Sequence, residues 1–268
     1  MCEEITMKEK PYWSFVGGGR ITRILLQRLK DNNALPEKVI VCDPDYKIHN
    51  NLKNLNIPRL QLKKDNVFKS SADIVFLAVH PPLVKEVMPQ IKNQLTSDSI
   101  LISLVPVIKT SALQQLLDGF DRIVRMIPNA PSIIGEGYNP VCFTDSISIQ
   151  EKSELLELFS NWGKTPEAEE DHLEAYAILT AMGPTYFWFQ WLELYRLGQE
   201  FRLSKDDIMN ALYEMINGSA KLLFKSRYPS EAVLDFIPVR PLQEDEEYFR
   251  SIIHTKLSEL HSKLTAKK

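Results

Sequence analysis

Residues Ser14–Leu29 read SFVGGGRITRILLQRL: a short apolar run, three consecutive glycines, then a segment in which Ile21, Ile24, Leu25 and Leu29 recur at helical spacing. Three adjacent glycines serve a nucleotide cradle or a plain tight turn, so the surroundings must decide. Apolar runs of strand length follow the first one (Tyr12–Val16) at Lys38–Cys42, Asp73–Val79, Ser99–Leu104 and Arg122–Ile127. Between them lie amphipathic stretches such as Leu83, Val84, Val87, Met88, Ile91 and Leu95. This alternation predicts a parallel sheet covered by helices. A weaker strand is expected at Val141–Phe143, and Glu151–Trp162 carries a helical stripe through Leu155, Leu156, Phe159 and Trp162.

After Glu167 the strand signals stop, which predicts two domains: an α/β dinucleotide-binding domain over 1–166 and an all-α domain over 167–268. The segment Asp171–Phe201 is unusually apolar, with YFWFQWLELY at Tyr186–Tyr195 placing aromatics on every helical face. Such a helix must be covered on several sides, and Gly183-Pro184 is expected to kink or divide it. Ser204 with Asp207 predicts the cap of the next helix, running to about Ser226. The last helix opens on Glu244–Glu247 and closes on Lys267 and Lys268, in accord with its dipole.

Composition narrows the function classes. The 268 residues are 44% hydrophobic, enough for a well-buried core, and carry a formal charge of −3. Interspersed charge of that size gathers neither nucleic acid nor an anionic membrane, and neither is expected as a partner. Cys2, Cys42 and Cys142 are odd in number and widely separated, so neither a disulfide framework nor a metal site is expected. MCEEITMKEK has no apolar leader segment and no run reaches membrane-spanning length, which predicts a soluble, cytoplasmic protein.

In this context the glycine turn gains chemistry. It follows a strand and precedes a helix, and Asp43 ends the next strand 24 residues beyond Gly19. Glycine lets backbone approach a pyrophosphate, the helix N-terminus offers unpaired N–H groups, and the acid accepts from ribose hydroxyls. Thr22 occupies the third position of the Gly-x-Gly-x-x-Gly pattern, so the helix is expected to stand slightly away from the strand. A carboxylate at Asp43 disfavours a 2′-phosphate and leans the cofactor toward NAD over NADP; Arg20 and Lys47 lie close enough to offset this, and an Asp after a strand also serves plain turns.

Four segments in order, VGGGRITRILL, ADIVFLAVHPPLVKEVMPQI, RIVRMIPNAPSIIGEG and LTAMGPTYFWFQWLEL, resemble pyrroline-5-carboxylate reductase over residues 12 to 226. The resemblance implies a Rossmann domain, a helical domain that interlocks in a homodimer, and hydride transfer from a reduced nicotinamide to a cyclic imine, a small-molecule substrate. It places Gly17, Gly18, Gly19, Arg20 and Ile21 around the pyrophosphate, Ala78, Val79, His80 and Pro81 along the path from adenosine to nicotinamide, and Asn129 near the nicotinamide.

The departures bear on the substrate. The family has lysine at the place of His80, Ala-Ala-Gly at Val105-Pro106-Val107, and Thr at Ala130. Its Ser-Gly-Ser-Gly-Pro-Ala becomes Thr180 to Thr185, which keeps one hydroxyl at Thr180, puts a thioether at Met182 and adds a hydroxyl at Thr185. The segment that wraps the substrate carboxylate, Ser-Pro-Gly-Gly-Thr-Thr, has no counterpart; Phe236–Leu242 stands there with two prolines and no glycine. Arg240 becomes the replacement anion ligand or a solvated surface residue. Lys221 reads as a helix lysine of related dehydrogenases or as a solvated one. Thr180, Thr185 and Arg240 are the candidate catalytic residues. Two functions remain open: a reductase of altered substrate recognition, and a non-catalytic dinucleotide-binding dimer with a regulatory role.

Overall fold

A computed structural model describes residues 12–66, 68 and 72–266. Cys2, Lys267 and Lys268 lie outside the described residues. The chain divides into two compact units, one running through Met182 and taking in the chain from His261, the other Gly183–Leu260.

The first unit alternates β1 (Tyr12–Val16), α1 (Arg20–Asp31), β2 (Lys38–Cys42), α2 (Tyr46–Lys53), β3 (Leu60–Lys63), β4 (Ile74–Leu77), α3 (Val84–Lys92), β5 (Ile100–Ser103), α4 (Thr110–Leu116) and β6 (Ile123–Met126). Short strands β7 (Gly137–Tyr138), β8 (Val141–Phe143) and β9 (Gly163–Lys164) and helix α5 (Ile149–Ser160) follow. The main sheet runs β3-β2-β1-β4-β5-β6-β8, parallel except for β8. This order reverses direction between β1 and β4, which opens a crevice at the carboxyl ends of those strands. Helix α2, strand β3 and helix α4 were not expected from sequence. α2 and α4 span only eight and seven residues, and β3 is four residues long and half buried, so each is too short for a clear periodic signal.

Every residue of β1, β4, β5 and β6 is buried, as a sheet covered on both faces requires. One face packs Phe15, Phe76, Leu25, Leu29, Phe159 and Trp162 beneath α1 and α5; the other packs Val16, Leu77, Val84, Met88 and Leu113 beneath α3 and α4. Phe15 and Phe76 stack at 4.3 Å between centroids. Helix α5 is capped by Ser148 and Glu151 in a reciprocal box. Trp162 falls just beyond the helix and donates from Nε1 to the Leu25 carbonyl at 3.1 Å, fastening α1 in place.

The residues after Glu167 stay with the sheet through a buried ion cluster rather than joining the helices that follow. Arg125 on β6 is fully buried and donates to Glu170 at 3.0 Å and to Glu174 at 2.7 Å. Glu174 also accepts from the Val107 N–H at 2.9 Å, and Glu170 from the N–H of Thr110, the first residue of α4, at 2.7 Å. Val107 has φ +75°, a conformation costly for a β-branched residue. Val107→Gly is therefore expected to stabilise the protein by about 1 kcal/mol, the relief of left-handed strain exceeding glycine's added chain entropy. Thermal denaturation checks it, and a lowered midpoint would contradict this account of the loop.

α6 (Leu173–Tyr176) opens the path to the second unit and runs into a π-helical turn at Ala177–Ala181, and the apolar segment breaks at Met182-Gly183 as Gly183-Pro184 led one to expect. The second unit holds α7 (Pro184–Glu200), α8 (Lys205–Lys225), α9 (Ser230–Asp235) and most of α10 (Glu246–Thr265). Ser204 caps α8 through the Asp207 N–H at 3.1 Å. Gly198 of α7 sits against Ile208 of α8, where a Cβ would stand 2.9 Å from Cγ1.

Candidate functional site

The glycine turn joins β1 to α1 at the crevice. Gly17 has φ +100°, and a Cβ there would stand 2.5 Å from the Ala78 carbonyl oxygen, so only glycine lets the turn pass the end of β4. A Cβ on Gly18 would stand 2.7 Å from Ile48 and 2.9 Å from Leu52 of α2. Gly19 differs from both: nothing lies within 4 Å of where its Cβ would be, and it forms the N-cap of α1 with no side chain capping the helix. The open approach and uncapped N–H groups suit an anionic diphosphate.

Asp43 locks this turn from the end of β2. Its Oδ2 accepts from the Gly18 N–H at 2.8 Å and its Oδ1 from the Asp45 N–H at 2.9 Å. A carboxylate offers about four acceptor sites, so two backbone bonds leave room for ribose hydroxyls. Thr22 is fully buried, with its hydroxyl donating to the Gly17 carbonyl at 2.7 Å. The third glycine position is filled by a side chain that ties the turn down.

The other candidates distribute along the same edge. Arg20 is exposed at the first position of α1, and Ile21 is half-buried behind it. Ala78 follows β4 with its N–H on the Val16 carbonyl at 2.8 Å; Val79 is half-buried, while His80 is exposed and caps the short 3-10 turn that begins at Pro81. Asn129 follows β6, and its side-chain amide donates to the Thr180 carbonyl at 3.1 Å. Thr180 lies in the π-helical turn, and its hydroxyl donates to the Tyr176 carbonyl at 2.8 Å. Asn129 and Thr180 are thus brought together, with Asn129 holding a carbonyl of the widened turn.

Thr185 and Arg240 belong to the second unit. Thr185 is exposed near the start of α7. Arg240 is already engaged, placing one guanidinium nitrogen 2.5 Å from both carboxylate oxygens of Glu246. Lys221 is exposed on α8.

Burial pushes the Cys42 thiol up to about 12 and the Cys142 thiol up to about 11, so neither is a nucleophile near neutral pH. Among the described residues no group of three or more His, Cys, Asp or Glu is placed to hold a metal ion, and no helix is long and apolar enough to cross a membrane. A polar cavity of about 920 Å³ opens elsewhere, bordered by Thr110, Asp121, Cys142, Glu167, Glu170 and Tyr176. Its acidic rim disfavours a pyrophosphate.

Sequence reasoning found the turn and Asp43 but missed what supports them. His49, buried on α2, bonds the Asp43 carbonyl through Nε2 at 2.7 Å, and Arg125 with its two glutamates went unread. A His six residues after the acid is visible in DPDYKIH, yet nothing in the sequence marks α2 as the helix beneath the turn.

Comparison with known proteins agrees with this architecture. Residues 13–106 match the family model described as NADP oxidoreductase, coenzyme F420-dependent. Pyrroline-5-carboxylate reductases of Staphylococcus aureus (strain COL) and Staphylococcus epidermidis are 25% and 24% identical over 162 residues, which is 60% of this chain and 60% of each relative. The chain thus aligns with about 60% of the length of these curated relatives. Among solved structures, the Plasmodium falciparum pyrroline carboxylate reductase with NADP bound superposes with a TM-score of 0.79 at 22% identity, covering 96% of this chain and 99% of that one. The 1-pyrroline-5-carboxylate reductase of Streptococcus pyogenes does so with a TM-score of 0.77 at 18% identity, covering 96% and 98%. The chain thus shares the fold of the two solved reductases and, over 162 residues, sequence similarity with the curated ones.

Proposed function

We propose that the chain is an NAD(P)-dependent oxidoreductase that delivers hydride to a cyclic imine or a related acid, prefers NADH, and works as a homodimer through its helical unit. The observation that carries this reading is the glycine turn at the β1/β4 crevice, clamped through Gly18 by Asp43 and open above Gly19. The Staphylococcus relatives are pyrroline-5-carboxylate reductases and the Plasmodium structure holds NADP, which supports the same class for this chain.

A bound reduced nicotinamide supplies the hydride. The chain's own part is placement: Gly19 and the first turn of α1 hold the pyrophosphate, Asp43 receives the ribose hydroxyls, and Ala78 to Pro81 line the way to the nicotinamide. Asn129 holds the turn that carries Thr180. Reduction of a protonated imine asks for little beyond orientation and electrostatics, so positioning is most of the catalysis. Titration with NADH, followed by turnover assays on a panel of imino and keto acids, tests the proposal.

Cofactor preference turns on Asp43, whose carboxylate would face a 2′-phosphate. NADH is expected to bind more tightly than NADPH, and Asp43→Ser to narrow the gap by about tenfold, the worth of one charged contact. A clear NADPH preference in the unaltered protein would refute this and direct attention to Arg20 and Lys47.

The homodimer follows from the apolar surface of the second unit. Phe187, Trp188, Phe189 and Leu192 on α7 are 44–68% exposed, and Tyr213, Met215 and Phe224 on α8 are exposed as well. Large apolar side chains exposed in this number mark an interface. Sedimentation is expected to give a dimer at micromolar concentration, and a stable monomer would contradict it.

One observation favours a second reading, a non-catalytic dinucleotide-binding dimer. The Thr180 hydroxyl is spent on the Tyr176 carbonyl and Arg240 on Glu246. NADH binding without turnover of any member of the panel would select it.

A further inference from the structure

We propose that His49 is a positioning residue for the adenosine end of the dinucleotide, acting through Asp43. This rests on the cofactor reading above. His49 lies on α2 and is 6% exposed, with Nε2 at 2.7 Å from the Asp43 carbonyl oxygen. A carbonyl only accepts, so Nε2 carries the proton and donates it. The Asp43 N–H is bonded to the Lys63 carbonyl of β3 at 2.9 Å. Both main-chain polar groups of Asp43 are therefore fixed from separate elements, β3 and α2, before its carboxylate reaches Gly18 and Asp45.

That arrangement sets where the carboxylate stands. Helix α2 also supplies Ile48 and Leu52, whose side chains fill the space under Gly18. One short helix therefore supports the pyrophosphate turn by apolar contact and the ribose ligand by a hydrogen bond. Ile48 and Leu52 fix the height of the turn, and His49 fixes the direction of the acid. Without the imidazole, the Asp43 carbonyl loses its donor, the segment after β2 is freed to rotate, and the carboxylate no longer stands ready for the ribose hydroxyls. NADH, which relies on the carboxylate, must lose more than NADPH, whose phosphate the same carboxylate repels.

The test uses the full chain with His49→Leu and His49→Gln, each alone and combined with Asp43→Asn, reading NADH and NADPH dissociation constants by fluorescence and the melting midpoint alongside. His49→Leu is expected to weaken NADH about 5- to 10-fold and NADPH less than about twofold, the scale of one hydrogen bond. His49→Gln, whose amide nitrogen reaches the same carbonyl, is expected to restore NADH binding to within about twofold. In the Asp43→Asn background His49→Leu is expected to change NADH binding little, because its effect passes through the acid. Equal losses for both cofactors, or an undiminished NADH loss in the Asp43→Asn background, would overturn the proposal and leave His49 a structural residue. Failure of the unaltered protein to bind either dinucleotide would overturn the cofactor reading itself, and the proposal with it.

Discussion

Gly17→Ala is expected to destabilise the first unit by about 2–5 kcal/mol and to abolish measurable NADH binding, combining left-handed strain with overpacking. The new methyl would stand 2.5 Å from the Ala78 carbonyl oxygen at a backbone φ of +100°. Neither partner has room to yield, since Ala78 is bonded through its N–H to Val16 and both strands are buried on each face. Gly19→Ala separates folding from binding. Its Cβ meets nothing within 4 Å and its φ of −63° suits alanine, so a loss of only about 1 kcal/mol is expected, the cost of alanine at an N-cap. The same methyl would stand where a pyrophosphate must approach, and NADH affinity is expected to fall by about tenfold or more, as when charge-assisted bonds to a phosphate are lost. Denaturation midpoints and NADH titrations of the two variants check this. Unchanged NADH affinity in Gly19→Ala would show that the space above Gly19 is not the diphosphate site.

The contrast between these glycines also shows what was legible in the sequence. Strand, turn and helix were readable because apolar runs and helical stripes report burial directly, and β1, β2 and β8 fall where those runs predict. That three glycines serve three purposes was not readable. Gly17 is needed for its φ and for close approach to Ala78, Gly18 for contact with Ile48 and Leu52 of α2, and Gly19 for open space, and no local pattern reveals which residues the fold brings to each. Thr22 shows the same limit: that its hydroxyl would tie the turn through the Gly17 carbonyl could not be read from its place in the pattern. Arg125 is the fullest example. In RIVRMIP it reads as the charged residue of a strand, and the acids that make its burial tolerable lie 45 and 49 residues on, in a segment whose position no local pattern reveals.

Arg125→Met is expected to cost about 3–5 kcal/mol, because it removes the cation from a buried carboxylate rather than an ion pair from a surface. Glu174 is 4% exposed and accepts from Arg125 and from the Val107 N–H at once. With Arg125 gone, its charge is left with one backbone donor and almost no water. The damage is expected to spread to the loop after β5, since Glu174 holds the left-handed Val107 and Glu170 caps the first N–H of α4. A melting midpoint lower by about 10 °C is the corresponding reading for a unit of this size. The triple variant Arg125→Met, Glu170→Gln, Glu174→Gln distinguishes charge from packing: it keeps amide oxygens for Val107 and Thr110 while removing every buried charge. Most of the lost stability should then return, since apolar or neutral replacement of a whole buried cluster is often neutral. If the triple variant were as unstable as Arg125→Met, packing around the guanidinium, and not the unpaired carboxylate, would be what holds residues 167–182 to the sheet.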